Sequence, residues 1–164
     1  MWLSDRRSLL VGALSALTLA GCGFAPAYGT NGVATRLQGS VLIEEPDSQD
    51  AYVLTRRIEE RLGAGGPDAP YRLALNARLS EESSASTSDG ALTRYQVLGT
   101  VTYTLVRAAD GSVIDSNTLR HFTGYSASGS TVATLQAKRD AEERMMVILA
   151  DRVVQELVLA APDL

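Results

Sequence analysis

The chain has 164 residues, 45% hydrophobic and 21% charged, and its 15 Lys and Arg against 19 Asp and Glu leave a formal net charge of −4. That size suits one domain with a workable core, and the acidic balance argues against nucleic acid as a partner. It argues equally against plain electrostatic adhesion to an anionic lipid surface, although local basic patches remain open.

Arg6 and Arg7 precede a largely apolar run of 13 residues, Ser8 to Ala20, which Leu19-Ala20-Gly21-Cys22 closes. A positive start, a short apolar stretch and a small residue before a cysteine resemble a bacterial lipoprotein signal peptide with its lipobox. The run is too short to span a bilayer, which takes about 20 residues. The expectation is a signal peptide over 1–21 and acylation of Cys22, which becomes the mature amino terminus. Several acyl chains, at about 0.8 kcal/mol per buried methylene, make a lasting anchor where one chain is marginal. An ordinary cleaved signal peptide with a free cysteine and an uncleaved helix are the alternatives. Asp5-Arg6-Arg7-Ser8-Leu9-Leu10 is also similar to a twin-arginine export signal, so the export route stays open. Gly23 follows the cysteine, and resemblance to enterobacterial lipoproteins implies outer-membrane sorting because no aspartate stands there. Cys22 is the only cysteine, so no intramolecular disulfide can form and the core must hold by packing alone.

From Gly23 to Gly39 the composition is Gly, Ala, Pro, Thr and Asn, which predicts a lipidated flexible tether over 22–39 and a single domain over 40–164. Ser40 to Glu44 reads as a short strand ended by Pro46. Asp47 and Asp50 look like a cap, and Ala51, Leu54, Ile58 and Leu62 then repeat at helical spacing until Gly63 and Gly65-Gly66-Pro67. From Tyr71 the period becomes two: Tyr71, Leu73, Leu75, Ala77 and Leu79 face one way, and Arg72, Asn76, Arg78 and Ser80 the other. Glu81 to Gly90 is polar and unpatterned, and predicts a flexible loop. Alternation resumes with Tyr95, Val97, Val101, Tyr103 and Leu105 against Arg94, Gln96, Thr100, Thr102 and Thr104. Asp110-Gly111 signals a hairpin into a returning strand, Ser112 to Tyr125, whose broken parity predicts a bulge.

Thr131 to Ala160 reads as one long helix with Leu135, Ala141, Met145, Ile148, Leu149, Val153 and Leu157 as its core stripe. Met145 to Ala150 is apolar throughout, which fits either a helix wedged between the sheet and the first helix or a second face for a partner protein. The order strand-helix-strand-strand-strand-helix predicts an α+β fold, a four-stranded mostly antiparallel sheet with two helices packed on one face.

No catalytic constellation is present, and the chain reads as not an enzyme. His121 has no companion at ligand spacing, Glu44-Glu45, Glu59-Glu60 and Glu81-Glu82 are adjacent residues that point apart, and no glycine-rich loop opens a helix. No metal or cofactor is expected. Basic residues are the remaining lead: Arg72, Arg78, Arg94 and Arg120 in or beside strands, and Lys138-Arg139 in the last helix. A phosphorylated or carboxylated lipid headgroup would suit them, and a solvated or carboxylate-paired role is the alternative.

The opening Leu19-Ala20-Gly21-Cys22-Gly23-Phe24 with Pro26 and Tyr28, the strand Tyr95 to Val101, and Lys138 to Leu157 with Leu149-Ala150-Asp151-Arg152-Val153-Val154-Gln155-Glu156-Leu157 resemble the LptE family in its α-proteobacterial form. LptE is the lipoprotein subunit of the lipopolysaccharide translocon. The resemblance covers essentially the whole mature chain. It implies a non-catalytic outer-membrane lipoprotein that plugs the β-barrel LptD, helps it assemble and contacts lipopolysaccharide. By position it implies Arg94 and Lys138 as lipopolysaccharide-binding residues. The competing function is a periplasm-facing lipid-binding or scaffolding lipoprotein without a barrel partner, and an envelope hydrolase is a third.

Overall fold

A computed structural model describes residues 33–86, 92–127 and 129–161; Cys22, the segment 22–32 and the tip residues 87–91 lie outside them. The elements are helix α1 (Val33–Leu37), strand β1 (Val41–Ile43), helix α2 (Gln49–Leu62), strands β2 (Tyr71–Ser86), β3 (Leu92–Arg107) and β4 (Val113–Ser126), and helix α3 (Thr131–Ala160). The sheet order is β1-β2-β3-β4, with β1 parallel to β2 and the other pairs antiparallel. This is the expected α+β sheet, mostly antiparallel, with a short leading helix added.

That helix corrects the expected tether. Ala34 and Leu37 are buried, and the Gly39 amide donates to the Leu62 carbonyl at 2.7 Å, tying the segment to the end of α2. Packed structure is thus present at Ala34 and Leu37, because two apolar residues three apart give even a single turn something to bury. The cap of α2 is Ser48 in place of Asp47: its Oγ accepts from the Ala51 amide at 3.2 Å, satisfying a donor that the first turn leaves open. Ala51, Leu54, Ile58 and Leu62 are buried as their spacing predicted.

The expected loop from Glu81 is largely strand. Pairing between β2 and β3 continues through Glu81↔Val97, Glu82↔Gln96 and Ser83↔Tyr95, and irregularly to Ser86↔Leu92. Backbone ladders need no apolar side chain, so a polar hairpin end extends past the helices without losing its hydrogen bonds. The predicted bulge is present, a register shift between Leu105↔Asp115 and Val106↔Val113. It lets β4 leave the turn at Asp110-Gly111, where Gly111 has φ of 71° and its amide donates to the Arg107 carbonyl.

In α3 the buried residues are Ala141, Met145, Met146, Leu149, Ala150, Val153, Val154 and Leu157. Leu135, expected in the core, is 49% exposed, and Ile148 is only half-buried. Met146, Ala150 and Val154 take their place, because α3 packs on β3 and β4 and also against α2, and a helix lodged between two neighbours buries two stripes. This is the wedge arrangement. Gly99 makes the close approach possible: a Cβ there would meet Met145 Cγ at 2.6 Å and Leu149 Cδ1 at 2.8 Å. On the solvent side Arg57 grips Asp151 with its Nε and a terminal nitrogen at 3.1 and 3.2 Å, which raises the Arg57 pKa.

Candidate functional site

The strands have two unlike faces. On the inner face Leu73, Val97, Val101, Tyr103 and Leu105 are buried beneath the helices, and the Tyr103 hydroxyl donates to Asp115. Burial and that carboxylate both push the Tyr103 pKa up, so the phenol stays protonated as a donor. No helix covers the outer face. Its rows run Asn76–Thr102–Thr118, Arg78–Thr100–Arg120, Ser80–Leu98–Phe122 and Glu82–Gln96–Gly124, with Arg94 beside Ser126 next. Leu98 and Phe122 form an apolar pair there, 39% and 62% exposed.

Arg94 and Lys138 sit at the same end of the sheet on opposite faces. Arg94 lies two residues into β3, paired with Ala85 where the ladder is irregular, and is exposed on the outer face. Lys138 is on the helix side, where its Nζ is 2.8 Å from Glu81 Oε2 and 3.8 Å from Glu142 Oε1. The Tyr125 hydroxyl donates to the same Glu81 oxygen at 3.0 Å, and the Tyr125 ring stacks on Tyr95 with centroids 5.3 Å apart. The hydrogen bond from Lys138 holds the Glu81 carboxyl below its ordinary range, and Glu81 in turn raises the Lys138 pKa. Glu142 goes the other way, its pKa raised by burial. The Lys138–Glu81–Tyr125 cluster therefore fastens the hairpin to α3.

Reading 81–90 as a loop concealed Glu81 as the partner of Lys138. A period of two carried past Leu75, Ala77 and Leu79 puts Glu81 on the inner face, but its charge ends the apolar row that would have marked it. The sequence also placed Arg78 and Arg120 in strands without their register, and the ladder sets them on either side of Thr100. His121 opposes Gly99, half-buried on the helix side. Among the described residues no group of three or more His, Cys, Asp and Glu side chains could hold a metal ion, and no helix is long and apolar enough to cross a membrane.

Solved structures share the arrangement. A Caulobacter crescentus CB15 protein matches with a TM-score of 0.64 at 17% identity, covering 79% of this chain and 96% of its own. The minor lipoprotein of Acinetobacter baumannii matches at 0.58 and 18% identity, over 73% and 90% of the two chains. The rare lipoprotein B of Shewanella oneidensis matches at 0.55 and 13%, over 72% and 91%. At such identities the likeness is one of fold. No curated protein matches the sequence. The lipopolysaccharide-assembly family LptE matches residues 39–157, from the turn before β1 to the buried Leu157 of α3. With its family match spanning every strand, the chain belongs to the LptE family of lipopolysaccharide assembly.

Proposed function

We propose that this protein is a non-catalytic outer-membrane lipoprotein, anchored through acylated Cys22, that plugs an LptD-type β-barrel and helps assemble it for lipopolysaccharide transport. The observation that carries this reading is the family match over 39–157. The physical fit supports it. The lumen of a wide barrel is polar and water-filled, and this domain combines a helix-backed apolar core with a sheet face of Arg, Asn, Gln and Thr. Cys22 stands eleven positions before Val33, the first described residue, so lipid attachment falls outside the elements from α1 onward.

Lipopolysaccharide contact at Arg94 and Lys138 belongs to the same proposal, with unequal requirements. Arg94 is exposed and can meet a headgroup as it stands, whereas at Lys138 a phosphate must compete with Glu81. Charge reversal at both should weaken lipopolysaccharide binding while barrel capture persists.

The deciding experiment places photo-crosslinking residues at Asn76, Thr102 and Thr104 on the outer face and isolates products from detergent-solubilised outer membranes. A stoichiometric barrel adduct is expected, and depletion of the lipoprotein should lower barrel assembly and surface lipopolysaccharide. Absence of any barrel adduct would favour a lipid-binding lipoprotein that works without a barrel. Mass spectrometry of the mature amino terminus tests the anchor, and an unmodified Cys22 overturns it.

A further inference from the structure

From the charge pattern of the uncovered sheet face, we infer that the row Arg78–Thr100–Arg120, with the neighbouring Leu98–Phe122 pair, is a binding site for a lipid bearing a phosphate monoester. The site deepens the lipopolysaccharide reading but uses residues other than Arg94 and Lys138.

Register brings the two arginines together. Arg78 pairs with Thr100, and Thr100 pairs with Arg120 on its other side. Neighbouring strands lie about 4.8 Å apart, so the two Cα positions are separated by roughly 10 Å, and two arginine side chains can converge on one group above Thr100. All three residues border a single shallow depression of about 430 Å³, with Asn76, Thr102 and Thr118 closing its far side. The Thr102 and Thr118 hydroxyls are 3.0 Å apart and engage each other. Among the described residues no side-chain hydrogen bond engages the Thr100 hydroxyl and no carboxylate pairs with Arg78 or Arg120.

The charge on this face runs against the chain as a whole. Arg72, Arg78, Arg94 and Arg120 lie on it, and Glu82, two rows from Arg78, is the carboxylate among its described strand residues, in a chain whose formal net charge is −4. On α2, by contrast, three arginines are matched by carboxylates: Arg56 with Glu60, and Arg57 and Arg61 with Asp151. Two permanently charged, fork-shaped donors over one hydroxyl suit the dianionic oxygens of a phosphate monoester, which accept bidentate pairs from both. One row along, Leu98 and Phe122 leave apolar area exposed next to the cations. A small hydrophilic anion would leave that pair wet, whereas a lipid lays the start of its acyl chain across it. Charge and apolar surface side by side select a phosphorylated amphiphile.

The test uses the full chain purified in dodecyl maltoside and titrated with mixed micelles carrying phosphatidic acid or phosphatidylcholine. Phosphatidic acid should bind at least about tenfold more tightly, and Arg78→Gln with Arg120→Gln should lose about tenfold or more, the scale of one charge-assisted hydrogen-bond pair. Arg56→Gln with Arg139→Gln removes the same charge elsewhere and should change binding less than about twofold. Arg78→Lys with Arg120→Lys keeps charge and fold but not the fork, and should fall between. Leu98→Ser with Phe122→Ser should weaken phosphatidic acid and leave inorganic phosphate binding unchanged. Equal loss in the two glutamine pairs, or loss in neither, overturns the site. Inorganic phosphate binding as tightly as the lipid assigns a small-anion site and overturns the lipid. Barrel crosslinking from Asn76 and Thr102 is read on the same variants: capture abolished while phosphatidic acid binding stands would mean that Arg78 and Arg120 contact the barrel in place of a lipid, which also overturns the inference. Barrel capture that persists without phosphatidic acid selectivity leaves the plug reading intact and rejects only this site.

Discussion

The two faces of the sheet are built from the same strands, yet one is decided by packing and the other by charge. The inner face buries Leu73, Val97, Val101 and Leu105 under α2 and α3, and its one phenol at mid-strand, Tyr103, is satisfied by Asp115. The outer face carries arginines and threonines, with Leu98 and Phe122 as an exposed apolar pair among them. Strand alternation delivers both at once, so a substitution one residue along the chain moves from the most to the least sensitive part of the molecule.

Truncation beneath the helices should break this comparison most visibly. Leu149→Ala and Met146→Ala should each cost about 2–5 kcal/mol in urea unfolding, because both side chains are fully buried, whereas Leu135→Ala at an exposed site should stay within about 0.5 kcal/mol. Equal costs would mean that the helix is not lodged between sheet and α2. Filling should also hurt: Gly99→Ala introduces a Cβ at 2.6 Å from Met145 Cγ and should cost about 1–3 kcal/mol, with Met145→Ala in the same chain recovering part of it in a double-mutant cycle.

Smaller effects test the junction at the hairpin end. Glu81 is held below its ordinary range by Lys138, so the unfolded chain takes up this proton first as pH falls. Its contribution is complete above the ordinary carboxylate range and is lost as pH drops through that range to the lowered folded value. Lys138, raised by Glu81, gives the mirror image, present below the ordinary lysine range and lost as pH rises through its folded value. With Lys138 38% exposed the pair is worth less than about 1 kcal/mol, and Glu81→Gln should flatten the acid limb by that amount in unfolding series at stepped pH. Least of all, Arg78→Gln and Arg120→Gln should move stability by no more than about 0.5 kcal/mol, since both are exposed. A larger loss would give these arginines a structural role and blur the distinction between the faces.

Alternation and helical spacing placed β2, β3, β4, α2 and α3 from the chain alone, because a period of two or 3.6 is a local property that survives without knowledge of neighbours. The bulge in β4 was equally visible as a break in parity. Local pattern could not show what a helix touches on its second side, which is why the run holding Met146 and Ala150 was left between a wedge and a partner face, Val154 was missed and Leu135 was placed inside. Nor could it show that polar residues 81–86 extend a strand, since ladder hydrogen bonds belong to the backbone and leave no mark in side-chain hydropathy. The same holds for the charged groups. Arg78, Arg94, Arg120 and Lys138 were legible as cations, but residue type carries no pairing register. Only the ladder put Arg78 and Arg120 beside one threonine, and only the packing of α3 on the hairpin gave Lys138 to Glu81 while leaving Arg94 in solvent on the opposite face.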